Sequence, residues 1–312
     1  MQEAHTYCRI ALIAVCIVAF PLAFHAQNAR QKELITDGIR KAKAGNFSGA
    51  ILEFDKAIAL DSNEAEPYYN RGIVRTELHD YAGAICDFTR VITLKPSYPE
   101  PWYSRGLAKD FLQDYRGAIR DYAYAIALKP DYDEAYHNSG LAKYDLGEYQ
   151  DAAKDFTRAI GYKPDFPEAF YNRGLCMFSL QDLEAAVVDF NEAIRLDSSQ
   201  FEYFSSRGAA KAAGGDYEAA LADFRKALSV NPGDVDSRLN LALALMYLSR
   251  YPEAIEEYNR VLESNSADPD ALTERGVAAH YLGDKAGACA DWKRASELGS
   301  EKARQYLVKY CD

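Results

Sequence analysis

The chain of 312 residues is 48% hydrophobic and carries 36 Lys and Arg against 47 Asp and Glu, a net charge of −11. That is a globular composition, long enough for two ordinary domains or one extended array. The acidic balance argues against nucleic acid or an anionic membrane surface as the main partner, because both are held by basic patches.

Residues 1–26 read differently from the rest. An apolar core at 10–20, IALIAVCIVAF, follows Arg9, and PLAFHA leads into the polar QNARQK. This pattern predicts a secretory signal peptide cleaved near Ala26, although Phe24 is bulky for a position so close to the cut. The apolar stretch is short for a bilayer crossing, so no integral span is expected after cleavage. An uncleaved anchor is the alternative. Residues 27–30 read as a short linker.

From residue 31 onward the sequence repeats every 34 residues. Small residues recur at Gly38, Gly72, Gly106, Gly140, Gly174, Gly208, Ala242 and Gly276. A second set is invariably alanine: Ala50, Ala84, Ala118, Ala152, Ala186, Ala220, Ala254 and Ala288. Four residues after each alanine stands an aromatic: Phe54, Phe88, Tyr122, Phe156, Phe190, Phe224, Tyr258 and Trp292.

Counting each repeat from its own first residue, positions 4, 8 and 11 share one helical face, and 20, 24 and 27 share another. Each repeat is therefore predicted to be two helices. The Gly at 8 and the Ala at 20 let them approach closely, and the aromatic at 24 fills the space between. Asn46, Asp80, Asp114, Asp182, Asp216 and Asp284 suit the N-cap of the second helix. Pro96, Pro130, Pro164 and Pro232 end second helices, and Pro99, Pro167 and Pro269 suit the first turn of the next helix. An acid at position 23 in every repeat faces a frequent Arg at position 7, as in Arg173 and Asp189, which reads as an interhelical ion pair.

On this period and this small-residue pattern the chain resembles the tetratricopeptide repeat (TPR) family. The resemblance implies an all-α fold, an α-solenoid of eight helix-turn-helix repeats forming a right-handed superhelix. The repeats fall at 31–64, 65–98, 99–132, 133–166, 167–200, 201–234, 235–268 and 269–302, with 303–312 as the remainder of a C-terminal capping helix. Departures are local: Ala242 replaces Gly, and Ser62, Ser198, Ser266 and Ser300 stand where Pro is usual.

Nothing in the chain points to catalysis. Outside the signal the histidines are His79, His137 and His280, none in a metal-ligand spacing, and there is no nucleophile elbow or phosphate-cradling glycine loop. No enzyme activity, cofactor or metal is expected. The resemblance implies a scaffold that binds a protein or peptide segment in its concave groove. The alternative is a structural or assembly role in the cell envelope through the outer surface.

In the family that groove is lined by positions 2, 5, 6, 9, 12 and 13 of the first helix. Here position 5 includes Tyr69, Tyr103, His137 and Tyr171, and Phe111, Tyr144 and Phe178 stand at positions 12 and 13. Tyr and Phe give large contact area at low entropic cost, so these side chains are candidate anchors. Packing between neighbouring first helices is the competing explanation. Position 6 holds Asn70, Asn138, Asn172 and Asn240, candidate amide donors and acceptors for the backbone of an extended peptide; drift at a tolerant exposed site explains them as well. Position 2 is acidic in seven repeats, which favours neutral or basic segments. The carboxylate clamp of chaperone-binding relatives needs Lys and Arg that these positions lack, Lys32 apart.

Export, to a bacterial periplasm or beyond, places the cysteines in an oxidising compartment. Cys86 and Cys176 lie three repeats apart, too far to pair, and Cys176 reads as a small packed residue. A helix running from Cys289 to about Leu298, followed by a returning helix that ends at Cys311, brings those two sulfurs to a similar level. The segment also resembles C-terminal ends of exported members of the family. A Cys289–Cys311 disulfide is expected; two unpaired thiols are the alternative.

Overall fold

A computed structural model describes residues 26–311, and the expected signal segment lies, Ala26 apart, outside the described residues. The described chain divides into two compact parts at Gly147/Glu148. All of its regular structure is helical. In the first part these helices are α1 (26–43), α2 (Phe47–Leu60), α3 (Glu66–Glu77), α4 (Tyr81–Leu94), α5 (Pro99–Phe111), α6 (Tyr115–Leu128) and α7 (Asp133–Asp145). The second part holds α8 (Tyr149–Tyr162), α9 (Pro167–Ser179), α10 (Leu183–Leu196), α11 (Phe201–Ala213) and α12 (Tyr217–Val230). It continues with α13 (Val235–Tyr247), α14 (Tyr251–Ser264), α15 (Pro269–Leu282), α16 (Lys285–Glu297) and α17 (Glu301–Tyr310). Within each part, successive helices pack against one another in chain order, the arrangement of an α-solenoid.

Residues 27–30, expected as linker, are helical and continue into α1. They hold no Gly or Pro to break the helix, and the segment is tied back to the end of α2. Gln31 Nε2 donates to the carbonyls of Ala57 and Asp61 at 3.0 and 3.1 Å, supplying partners that the helix end lacks.

Helix pairs close on the small residues. A Cβ placed on Gly174 would stand 2.7 Å from the Phe190 ring, and one on Gly276 would stand 2.6 Å from Trp292. The eight aromatics of this layer are all at most 1% exposed, so each contributes about 2–3 kcal/mol of burial. Second helices start where the sequence offers a cap: Asn46, Asp80, Asp114, Asp182, Asp216 and Asp284 each accept a hydrogen bond from a first-turn backbone N–H. The residue just before these caps has positive φ throughout, at Gly45, His79, Gln113, Gln181, Gly215 and Gly283, and likewise at Gly147 and Ser249. Four of those eight are not glycine, and each bears the left-handed cost of about 1–2 kcal/mol.

Charged ties fix neighbouring repeats in register. Arg105 grips Asp121 through two parallel bonds of 2.8 and 2.7 Å and gives a third, of 3.0 Å, to Thr89 on the second helix of the preceding repeat. The same three-way tie recurs at Arg173 (Asp189, Thr157), Arg207 (Asp223, Asn191) and Arg275 (Asp291, Asn259). A bidentate guanidinium satisfies a carboxylate that would otherwise be costly to bury.

At the C-terminal end α17 folds back over α16 and covers the last aromatic. Trp292 lies 5.1 Å from Tyr306 and 5.8 Å from Tyr310, ring centre to ring centre, and donates its Nε1–H to the Thr273 carbonyl at 3.1 Å. Cys289 and Cys311 are bonded across this contact, their Cα atoms 5.8 Å apart.

Candidate functional site

The candidate groove residues fall on first helices in both parts. In the first part α3 carries Tyr69 and Asn70, α5 carries Tyr103 and Phe111, and α7 carries His137, Asn138 and Tyr144. In the second part α9 carries Tyr171, Asn172 and Phe178, and α13 carries Asn240.

The position-5 tyrosines are half-buried anchors with their hydroxyls tied to the next repeat. Tyr103 leans on Tyr122 and Tyr132, with ring centres 5.8 and 4.9 Å away, and its hydroxyl accepts a 2.7 Å hydrogen bond from Asn138 Nδ2. Tyr171 leans on Phe190 and Tyr203 at 5.8 and 4.8 Å, and its hydroxyl meets Ser206 at 3.3 Å. Ser104 holds the same place beside Tyr69. Position 6 is thus occupied, at these repeats, in a ladder that runs from repeat to repeat. Asn70 instead turns its amide to the Glu66 carbonyl one helical turn back, at 3.0 Å. Burial pushes the Tyr103 phenol up to about 12, the carboxylate of Glu134 adding to the rise, so the ladder is uncharged at neutral pH.

Phe111 is 60% exposed and stacks on Tyr81 of the preceding repeat, with centres 4.8 Å apart and planes 9° from parallel. This pairing recurs in the second part, where Tyr217 stacks on Tyr247 at 4.6 Å and Tyr251 on Tyr281 at 5.3 Å. Tyr247 and Tyr281 are 62% and 63% exposed. Tyr81, Tyr217, Tyr247, Tyr251 and Tyr281 escaped the sequence reading. An aromatic 30 residues before another (81 and 111, 217 and 247, 251 and 281) is the signal that finds them.

Two pockets open among these residues. One of about 370 Å³ lies among α11, α12 and α13, where Asn240 and Tyr247 meet Tyr217 and the small side chains Ala209 and Ala213. The other, of about 780 Å³, lies in the first part among Tyr69, Asn70, Tyr98, Glu66 and Lys95.

Asp110 stands beside Phe111 on α5. Its Oδ1 and the hydroxyl of Tyr122 are both buried without a hydrogen-bond partner. Burial, with Asp145 adding repulsion, pushes the Asp110 carboxyl up to about 6. Of the two free thiols among the described residues, Cys86 is exposed and Cys176 is buried, its thiol pushed up to about 12 by burial and so unreactive. Among the described residues no group of His, Cys, Asp and Glu is placed to hold a metal ion, and no helix is long and apolar enough to cross a membrane.

A family model described as tetratricopeptide repeat matches residues 137–201, 207–269 and 239–300, and a second TPR model matches 40–78. The chain belongs to the tetratricopeptide repeat family. Repeats of this family generally mediate protein–protein contacts as non-catalytic scaffolds. No curated protein sequence matches the chain. Among solved structures it is similar to MamA, at 26% identity and a TM-score of 0.53, covering 56% of this chain and 96% of that one. It is similar also to a TPR protein from Parabacteroides merdae, at 18% identity and a TM-score of 0.58, over 80% of this chain and 99% of that one. A third is YrrB, a TPR protein with an unusual peptide-binding site, at 21% identity and a TM-score of 0.53, over 59% of this chain and 95% of that one.

Proposed function

We propose that the protein is a binding scaffold that takes an extended, neutral or basic segment of a partner along the face of its first helices. The observation that carries this reading is the set of exposed aromatic stacks, Tyr81–Phe111, Tyr217–Tyr247 and Tyr251–Tyr281. Three large rings about 60% exposed are unusual on an acidic soluble surface unless something covers them. The half-buried tyrosines of the first helices in each part are held in place by hydrogen bonds, so binding would order few additional side chains. YrrB supports only that this fold can carry a peptide site. The Cys289–Cys311 bond is consistent with an exported chain in an oxidising compartment.

The test uses peptides selected from a random display library on the wild-type protein. Tyr103→Ala with Phe111→Ala removes anchors in the first part, and Tyr171→Ala with Phe178→Ala removes them in the second. At least one pair is expected to weaken binding by about tenfold or more, roughly 1.4 kcal/mol. Helical circular dichroism serves as the control for folding. Affinities unchanged in both pairs would remove the reading.

A further inference from the structure

The pocket of about 370 Å³ lies wholly in the second part, among α11, α12 and α13. It is lined by the buried ring of Phe224 and by the Tyr217–Tyr247 stack, whose planes are 7° from parallel. Tyr247 and Leu243, 62% and 42% exposed, keep this lining open to solvent. On the α11 side stands Ala209, at position 9 of its repeat. Every other repeat carries Ile, Leu or Val at that position, as at Leu175 and Leu243 in the flanking repeats. The aliphatic side chain that the other first helices offer is therefore missing from α11, and the pocket occupies that place.

Asn240, partly exposed in the same lining, supplies an independent observation. In the earlier repeats the position-6 side chains Asn138 and Ser206 meet the hydroxyls of Tyr103 and Tyr171 one repeat back. The tyrosine that would meet Asn240 is replaced by Ser205, whose hydroxyl accepts a 2.8 Å hydrogen bond from Ser237 instead. Among the described residues none takes the Asn240 amide, so its donor and acceptor remain available at the pocket.

The lining also selects the chemistry of an occupant. No Asp, Glu, Lys, Arg or His borders this pocket, whereas the pocket in the first part includes Glu66 and Lys95. An ion placed here would lose water and meet no opposite charge. Ligand cavities run from about 300 to 1,000 Å³, so this one takes a single large side chain. Its parallel rings offer a flat face on which a further ring packs offset or edge-on, with a gain beyond the area it buries.

We propose that this pocket receives one uncharged aromatic side chain of the bound segment, its ring against the Tyr217–Tyr247 stack and the segment's backbone on the Asn240 amide. The proposal rests on the groove reading and adds the class of residue that the segment presents.

The experiment uses labelled heptapeptides of Ser and Ala with Phe, norleucine, Ala, Lys or Glu at the centre, titrated into the full chain and followed by fluorescence anisotropy. The Phe peptide should bind at least about tenfold tighter than the Ala peptide and about threefold tighter than the norleucine peptide. Lys and Glu should fall below norleucine, and the Phe preference should persist in added salt, which screens only charge. Ala209→Leu restores the side chain that other repeats carry and should bring the Phe-to-Ala ratio close to one. Tyr247→Ala, on a mostly exposed ring, should lower the same ratio at least about threefold. Asn240→Ala should weaken all the peptides alike; a loss confined to the Phe peptide overturns the backbone contact. Circular dichroism controls for folding.

Equal affinity for Phe and Ala, or for Phe and norleucine, overturns the aromatic pocket. A ratio untouched by both Ala209→Leu and Tyr247→Ala does the same, as does absence of binding by the Phe peptide. The groove reading survives each of these results, because its own substitutions lie on α5 and α9. It falls instead if display-selected peptides are indifferent to both of those pairs.

Discussion

The hydroxyl of Tyr103 accepts a 2.7 Å hydrogen bond from the amide of Asn138, 35 residues later and on the first helix of the next repeat, α7 after α5. Each residue alone looks like a ligand contact; together they form a strut between repeats. A double-mutant cycle of Tyr103→Phe and Asn138→Ala, followed by urea unfolding, should show each single change costing about 1 kcal/mol and a coupling of similar size. Additive losses would mean that the strut contributes nothing.

Asp110 should make stability depend on pH in a direction opposite to that of a salt-bridged carboxylate. Its folded value of about 6 lies above the ordinary value of about 4, so the fold favours the protonated form. The favourable contribution is complete below about pH 4 and is lost as pH rises through about 6. Asp110→Asn should therefore stabilise the protein by about 1–2 kcal/mol at pH 7, after discounting for partial solvent screening, and by little at pH 4. Chemical denaturation of both proteins across that range checks the sign; a difference that does not vary with pH would contradict it.

Gly174→Ala should destabilise the fifth repeat, because the new methyl would stand 2.7 Å from a fully buried Phe190 ring. Overpacking of this kind costs about 1–3 kcal/mol. The reverse change at Ala242, a buried alanine at the equivalent place in the seventh repeat, supplies the comparison. Ala242→Gly should lose about 1 kcal/mol of helix propensity without relieving a clash. Hydrogen exchange on α9 and α10 reads the first change, and on α13 and α14 the second.

Opening the Cys289–Cys311 bond should loosen the C-terminal end first. The bond closes a loop of 22 residues and holds α17 over Trp292. Reduction, or Cys311→Ser, should cost roughly 3 kcal/mol locally. Of the two tryptophans only Trp292 lies under α17, so its emission should shift to the red at lower denaturant concentration, ahead of the main loss of helix. Identical unfolding curves with and without reductant would show that the bond does not hold the cap.

The stacked pairs show where reading the sequence stopped short. Phe111 is legible as a groove-side aromatic, but no motif singles out Tyr81 on its second helix, and nothing within one repeat says that the two rings meet. The non-glycine residues at positive φ, His79, Gln113, Gln181 and Ser249, are hidden for a different reason, since each joins two helices of one repeat. Their side chains carry no sign of the turn, which is enforced by the closure of each helix pair around its buried aromatic.

The sequence by itself determined the helices, their caps and the close approach at Gly174 and its equivalents, since these depend on a 3.6-residue period and on neighbours less than one repeat away. The Arg173–Asp189 pair belongs to the same class, joining two helices of a single repeat. Tertiary structure alone decided the third bond of that arginine to Thr157, the strut from Tyr103 to Asn138, and the stacks on Phe111 and Tyr247. All of these depend on how one repeat is rotated against the next. That rotation is the summed outcome of many side-chain contacts across the interface, and no single residue or spacing records it.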